Sequence, residues 1–276
     1  MQFNNIIREI ADIDPEFAER TQSRRSAMRE FAGFGAKVSL AAMPLFLGSV
    51  FKKAYGQSNT GPVLEILNYA LTLEYLESEF YASGIAKGTA LVPAGPATNS
   101  IQTIGNHEAA HVAFLKMAIT ATGGTPVDKP NFDFTAKGTF NDVFTNYATF
   151  LAVAQTFEDT GVRAYKGRAA ELVKGGDLLT AALNIHSVEA RHASHIRQMR
   201  KNNGFGDVKP WITGKDSGIG SVVQASYDGE EITSQAGVNI VNINGQVISA
   251  AAASEAFDEP LTKDQVLAIV SPFFMS

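Results

Sequence analysis

The sequence predicts a mainly α fold: a four-helix bundle with one longer crossover connection, then a C-terminal extension containing a β-hairpin and a short helix. Three observations carry this. Four successive stretches of helical length are punctuated by Gly, Pro and cap-type residues. The connection between the second and third, residues 125–139, is longer than the others, as in bundles with one crossover. Beyond Gly204 the helical pattern gives way to β-rich runs around Asn244-Gly245. The chain therefore divides into an N-terminal segment (1–57), the bundle (58–204) and the extension (205–276).

Residues 2–22 are polar, with a short amphipathic pattern at Phe3, Ile6, Ile7, Ile10 and Ile13. Ser23-Arg24-Arg25-Ser26 follows, then an apolar stretch from Phe31 to Phe51 interrupted by Lys37, and Ala54-Tyr55-Gly56. The uncharged part is shorter than the ~20 residues a membrane span needs. The order resembles an export signal of the twin-arginine type, although Ala27 and Met28 stand where that motif prefers Phe-Leu. The expectation is export to the periplasm. The alternative is an amphipathic N-terminal helix on a cytoplasmic protein.

The first bundle helix is expected from Val63 to about Lys87, after Ser58-Asn59-Thr60-Gly61-Pro62, with Leu64, Leu67, Leu71, Leu76 and Phe80 among its apolar residues. Gly88–Thr98 reads as a connection. Asn99 or Ser100 is expected to cap the second helix, which Gly123-Gly124 ends. In the crossover, Phe132, Phe134 and Phe140 are expected to lie across the bundle surface. The third helix is expected from about Asn141 to Lys174, and the fourth from Asp177 to near Gly204. Further on, Val238–Ile243 and Gln246–Ile248 are expected to pair across Asn244-Gly245. Thr262-x-x-Gln265 reads as a capping box opening a last helix, Lys263 to about Val270, before Pro272. The extension contains no metal-ligand cluster and is read as a cover for the bundle.

At 276 residues, 45% hydrophobic and 18% charged, the chain is globular in composition. A net charge of −5 without a Lys/Arg stripe leaves no electrostatic footprint for nucleic acid. Cysteine is absent, so disulfides, thiolate zinc sites and iron–sulfur clusters are excluded; any metal must be held by oxygen and nitrogen.

His107-Glu108-Ala109-Ala110-His111 is the stretch with the most chemistry in it. Taken alone, H-E-x-x-H is a zinc-protease signature. A different reading uses only Glu108 and His111, since E-x-x-H on a helix is half of a carboxylate-bridged dimetal site. The rest of the chain separates the two. Glu74 has Tyr81 seven residues on, then comes Glu108-x-x-His111; Glu158 has Tyr165 seven residues on, then comes Glu189-x-x-His192. At about 100° per residue, i+7 returns to the same helix face and i+3 lies close to it. Each helix hairpin therefore projects Glu, Glu and His toward one axis, and two hairpins supply four carboxylates and two imidazoles. That set suits two divalent metals, iron or manganese, because hard oxygen donors dominate it. A single Glu-x-x-His is commonly a solvated helix face; two copies at matching places are not. The protease reading leaves the second copy unexplained, with Val188 where a second H-E-x-x-H needs His. Tyr81 and Tyr165 are either core residues or hydrogen-bond partners of ligating carboxylates. Glu77, one turn from Glu74, is an alternative ligand. His107 and His195 read as ordinary, partly exposed histidines, the alternative being partners of the ligand residues or an additional site; the role of His186 is left open.

The pattern Glu74, Glu108/His111, Glu158 and Glu189/His192 resembles the ligand set of the ferritin-like superfamily, which includes bacterioferritins and rubrerythrins. Leu73–Tyr81 and Phe257-Asp258-Glu259-Pro260-Leu261-Thr262 are more specifically similar to bacterial ferritin-like proteins related to plant desiccation-associated proteins. The resemblance implies that Glu108 and Glu189 bridge two iron ions (or manganese), that Glu74 and Glu158 are terminal ligands, and that His111 and His192 bind one metal each. It implies O2, peroxide or Fe(II) as reactant, through iron oxidation, peroxide consumption or hydroxylation. The missing cysteines exclude the rubredoxin-type module of rubrerythrins. The alternative function is a stress or desiccation-associated structural protein with a fold-stabilising metal site. A homo-oligomer is left open, with the extension standing in the way of a closed storage shell.

Overall fold

A computed structural model describes residues 61–275. The export-signal reading of residues 1–57 lies outside them. The bundle consists of α1 (Gly61–Ala86), α2 (Pro96–Ala121), α3 (Tyr147–Ala169) and α4 (Asp177–Asn202). Helix α1 lies along α2 and α3 along α4; α1 and α3 also touch, whereas α2 and α4 meet only briefly. Among the described residues, no helix is long and apolar enough to cross a membrane.

Helix α3 is the centre of the molecule. Every residue from Val153 to Tyr165 is buried, including Gln155, Thr156, Glu158, Asp159, Thr160 and Arg163. Its inner side faces the bundle, and its outer side is covered by the C-terminal extension. Arg163 fastens that cover: it donates to the carbonyls of Ser226 (2.6 Å), Asp228 (2.9 Å) and Glu259 (2.8 Å), and its Nε sits 2.7 Å from the Glu230 carboxylate. Arg200 likewise holds Phe205 and Gly218 carbonyls, and Tyr227 donates to Asp159, which also pairs with Arg197. Gly167 permits the close seat: a Cβ there would come 2.0 Å from the Leu261 carbonyl oxygen.

Several expected boundaries move, each for an identifiable reason. Helix α2 is capped by Gly95, with Pro96 in its first turn, so Asn99 and Ser100 lie inside the helix. Proline's fixed φ and missing N–H suit the first turn and start the helix early. Helix α3 begins at Tyr147, not near Asn141, because the Asn146 side chain accepts from the Ala148 and Thr149 amides; beyond Ala169 the chain tightens to 3-10 form.

The crossover phenylalanines do not simply lie on the surface. Phe134 is buried in the cluster around Phe80, where Phe80 stacks on Phe150 at 4.8 Å, and Phe140 stacks on Phe273 at the C-terminus.

The hairpin pairs other residues than expected. Its strands are β1 (Ser234–Gln235) and β2 (Val238–Asn239), joined through Ala236 and Gly237, both at positive φ as a two-residue hairpin turn requires. Asn244 and Gly245 do form a turn, closed by Gln246 N–H to the Ile243 carbonyl, but no ladder flanks it. The Asn239 side chain takes the Val241 amide and Asn242 is left-handed, which ends the strand before the turn. Two short helices follow, α5 (Ala250–Ser254) and α6 (Lys263–Val270), the latter opened by the expected Thr262–Gln265 capping box.

Candidate metal centre

All six sequence-predicted ligand residues converge in one buried cluster. Glu74 comes from α1, Glu108 and His111 from α2, Glu158 from α3, and Glu189 and His192 from α4. The four carboxylates are fully shielded from solvent. Two overlapping groups form, Glu74, Glu108, His111 and Glu189 on one side, and Glu108, Glu158, Glu189 and His192 on the other. Within each, one donor atom per residue lies within 4.8 Å of all the others. Glu108 and Glu189 belong to both groups.

The way these two carboxylates are turned accounts for their sharing. Nδ1 of His111 lies 3.2 Å from Glu108 Oε2 and 3.1 Å from Glu189 Oε1. Nδ1 of His192 lies 2.8 Å from Glu108 Oε1 and 3.7 Å from Glu189 Oε2. Each shared carboxylate thus offers one oxygen to each side. The outer carboxylates serve one side each: Glu74 Oε2 is 3.2 Å from His111 Nδ1, and Glu158 Oε2 is 3.3 Å from His192 Nδ1.

The two tyrosines hold the far oxygens of those outer carboxylates, and they do so crosswise. Tyr81 of α1 donates to Glu158 Oε1 of α3 at 2.5 Å, and Tyr165 of α3 donates to Glu74 Oε1 of α1. The exchange is possible because α1 and α3 run antiparallel, so each Glu faces the Tyr of the other helix. Both tyrosines are buried, and burial together with the neighbouring carboxylates pushes their hydroxyl pKa well above the usual value, keeping them donors.

Several polar atoms remain without a partner. Glu108 Oε1, Glu158 Oε2, both oxygens of Glu189 and Nδ1 of His192 are buried without a hydrogen bond. Orphaned buried polar atoms are rare in native proteins and costly. Five of the eleven such atoms among the described residues lie in the two ligand groups, and these five are all Lewis-basic donors. The residues present fit a pair of divalent cations.

Electrostatics agree. Burial first, then the other acids, pushes the carboxyl groups of Glu77 and Glu108 well above their ordinary range; burial raises Glu158 to about 7. Burial would also raise Glu189, but the His111 and His192 imidazoles facing it outweigh that and bring its pKa to about 2. Burial opposes protonation of His111, yet Glu108, Glu189 and Glu74 reverse that and lift it to about 12; His192 moves the same way. Five acids crowd one core, and cations, or protons on the carboxyls and imidazoles, must balance them.

Glu77 is the fifth acid. It is buried one turn from Glu74 and belongs to neither ligand group. Its counterpart on α3, three residues past Glu158, is Gly161, where a Cβ would come 3.1 Å from Glu77 Oε1. A glycine inside a helix costs about 1 kcal/mol relative to alanine. Here it makes room for the extra carboxylate. Its one-turn spacing from Glu74 marked Glu77 in the sequence as an alternative ligand; the ligand group holds Glu74 instead, with Glu77 buried beside it.

The extra histidines separate. His186 faces the Val162 carbonyl (3.0 Å) and His195 the Ser100 hydroxyl (2.9 Å). His107 is exposed, as expected, and also takes the alternative place beside a ligand residue: its Nδ1 lies 2.9 Å from Nε2 of His192. It belongs to neither ligand group, so the H-E-x-x-H reading loses its first zinc ligand.

A family model described as a ferritin-like domain matches residues 63–202, just over half of the chain and the whole of the ligand-bearing bundle. The chain belongs to the ferritin-like family. No curated protein matches it. Within the ferritin-like bundle, the acidic and histidine cluster is compatible with a metal site, and its residues could hold metal ions.

Proposed function

We propose that this ferritin-like chain binds two metal ions, iron or alternatively manganese, and uses them for O2 or peroxide chemistry or for the oxidation of Fe(II). The observation that carries the reading is the orientation of Glu108 and Glu189, each with one oxygen toward each histidine and three of the four oxygens without any other partner. Glu108 and Glu189 would bridge. Glu74 and His111 would complete one position, and Glu158 and His192 the other. Bound there, a pair of one-electron redox metals supplies a two-electron reaction at one place. The chain contributes the rest. Tyr81 and Tyr165 clamp Oε1 of Glu158 and Glu74, leaving Oε2 of each turned to the centre. The bundle walls exclude bulk water, which strengthens every charge interaction inside.

Elemental analysis of protein from its native host, with assays of Fe(II) oxidation and peroxide consumption, tests the proposal. Two redox-active metals per chain with turnover in either assay support it. Glu189→Ala should sharply reduce bound metal, because both positions lose a ligand; unchanged metal content refutes the shared centre. A second reading, a stress or desiccation-associated protein whose metals mainly hold the bundle together, draws on the complete burial of the four carboxylates. Two bound metals with no turnover would select it. Export through the Arg24-Arg25 segment belongs to the same proposal, and N-terminal sequencing of the mature protein tests it.

A further inference from the structure

Besides Glu77 and Gly161, the pseudo-twofold that relates Glu108 and His111 to Glu189 and His192 is broken on α2 and α4 by one ring. His107 stacks on His192 with centroids 5.2 Å apart and planes 15° from parallel, and its Nδ1 lies 2.9 Å from His192 Nε2. The residue in the matching place before Glu189 is Val188, which has no polar group to offer His111. Accordingly, Nε2 of His111 has no hydrogen-bond partner among the described residues. We propose that His107 is a positioning residue that locks the tautomer and ring angle of His192, and thereby makes the two metal positions unequal. The inference rests on the dinuclear reading above.

The chemistry leaves one consistent assignment. A hydrogen bond between two neutral imidazoles needs one N–H and one lone pair. His192 directs Nδ1 at Glu108, Glu158 and Glu189 and must keep that lone pair for a metal, so its proton resides on Nε2. Nε2–H then donates to Nδ1 of His107, whose own proton sits on its Nε2. An outer partner of this kind fixes a ligating imidazole and raises its donor strength, and losing one typically weakens metal binding about 10–100-fold. His111 enjoys no such support and is more exposed, 12% against 6% for His192. The position at His192 is therefore the tight one, and the position at His111 is the exchangeable one. His107 also lines a cleft of about 340 Å³ between α2 and α4 together with Ser100, Thr103, Arg191 and His195. The positioning ring can thus be replaced without disturbing the bundle core.

The test is anaerobic titration of metal-free protein with Co(II), followed by the visible ligand-field spectrum and by bound-metal analysis. The wild type should fill in two resolved steps. His107→Phe keeps an aromatic ring but no acceptor, and should weaken the tight step about 10–100-fold with the weak step unchanged. His107→Gln, whose amide oxygen can take the Nε2 proton, should restore most of it. Far-UV circular dichroism checks that both variants are folded. Wild-type protein that binds two Co(II) ions in indistinguishable steps overturns the proposal, as does a His107→Phe variant with an unaltered tight step. Wild-type protein that binds fewer than two ions defeats the dinuclear reading itself, and the proposal with it.

Discussion

Stripping metal from the centre should turn it into a pH-dependent liability. Glu158 shows why. Its ordinary pKa of 4.5 is raised to about 7 in the folded protein, chiefly by burial. The unfolded chain therefore releases this proton first, and between pH 4.5 and 7 the folded state holds more protons than the unfolded one. Under that condition stability falls as pH rises. The difference between 4.5 and about 7 is worth about 3 kcal/mol at about 1.4 kcal/mol per pH unit. Glu77 and Glu108, also raised, act in the same direction. So does His111, raised from 6.5 to about 12: its stabilising contribution is complete below pH 6.5 and fades as pH climbs toward 12. Glu189, lowered to about 2, contributes stability above pH 4.5 that is lost only as pH falls through 2, outside the window. For a domain of this size, about 3 kcal/mol corresponds to a Tm decrease of roughly 6–12 °C. Metal-free protein should thus melt that much lower at pH 8 than at pH 5. Excess Fe(II) under argon, or Mn(II), should abolish the fall, since cations hold the carboxylates ionised. Differential scanning calorimetry at pH 5, 6, 7 and 8, with and without metal, measures both curves. A metal-free Tm that is flat or rises across this range would refute the reasoning.

Two further outcomes follow from the same geometry. Tyr81→Phe removes the donor from Glu158 Oε1 and Tyr165→Phe the donor from Glu74 Oε1. Each should lower stability by about 1–3 kcal/mol in urea titrations, and each should weaken a different one of the two proposed metal positions. Arg163→Ala leaves Glu230 buried without its cation and three carbonyls without their donor, which should cost about 3–5 kcal/mol and expose the C-terminal extension to limited proteolysis.

The buried cluster of acids and histidines is legible in the amino-acid sequence because its information is local. Residues at i+3 and i+7 share a helix face whatever the helix packs against, so Glu-x6-Tyr and Glu-x-x-His, each written twice, already imply inward-facing sets. Ends of elements are less legible. At α2, Asn99 and Ser100 and the upstream Pro96 offer competing starts, and proline prevails. In the extension, Asn244-Gly245 makes the turn it encodes, but Val238–Asn239 pairs with Ser234–Gln235 because Asn242 turns the chain away first. A turn signal states where the backbone reverses, not which strands will meet.

What the sequence determined by itself is the mainly α bundle, its crossover, and the six residues Glu74, Glu108, His111, Glu158, Glu189 and His192 that meet inside it. Only the tertiary structure decided how those residues are served. The crossed Tyr81–Glu158 and Tyr165–Glu74 bonds depend on α1 and α3 running antiparallel in one register. The admission of Glu77 depends on Gly161 facing it from another helix, and the binding of His107 to His192 on the narrow meeting of α2 with α4. Helix α3 could not be read as amphipathic, because the extension buries the side that periodicity would assign to water. Spacing along one helix is a property of the backbone; contact between helices is a property of packing, and the inequality of the two halves of this centre arises there.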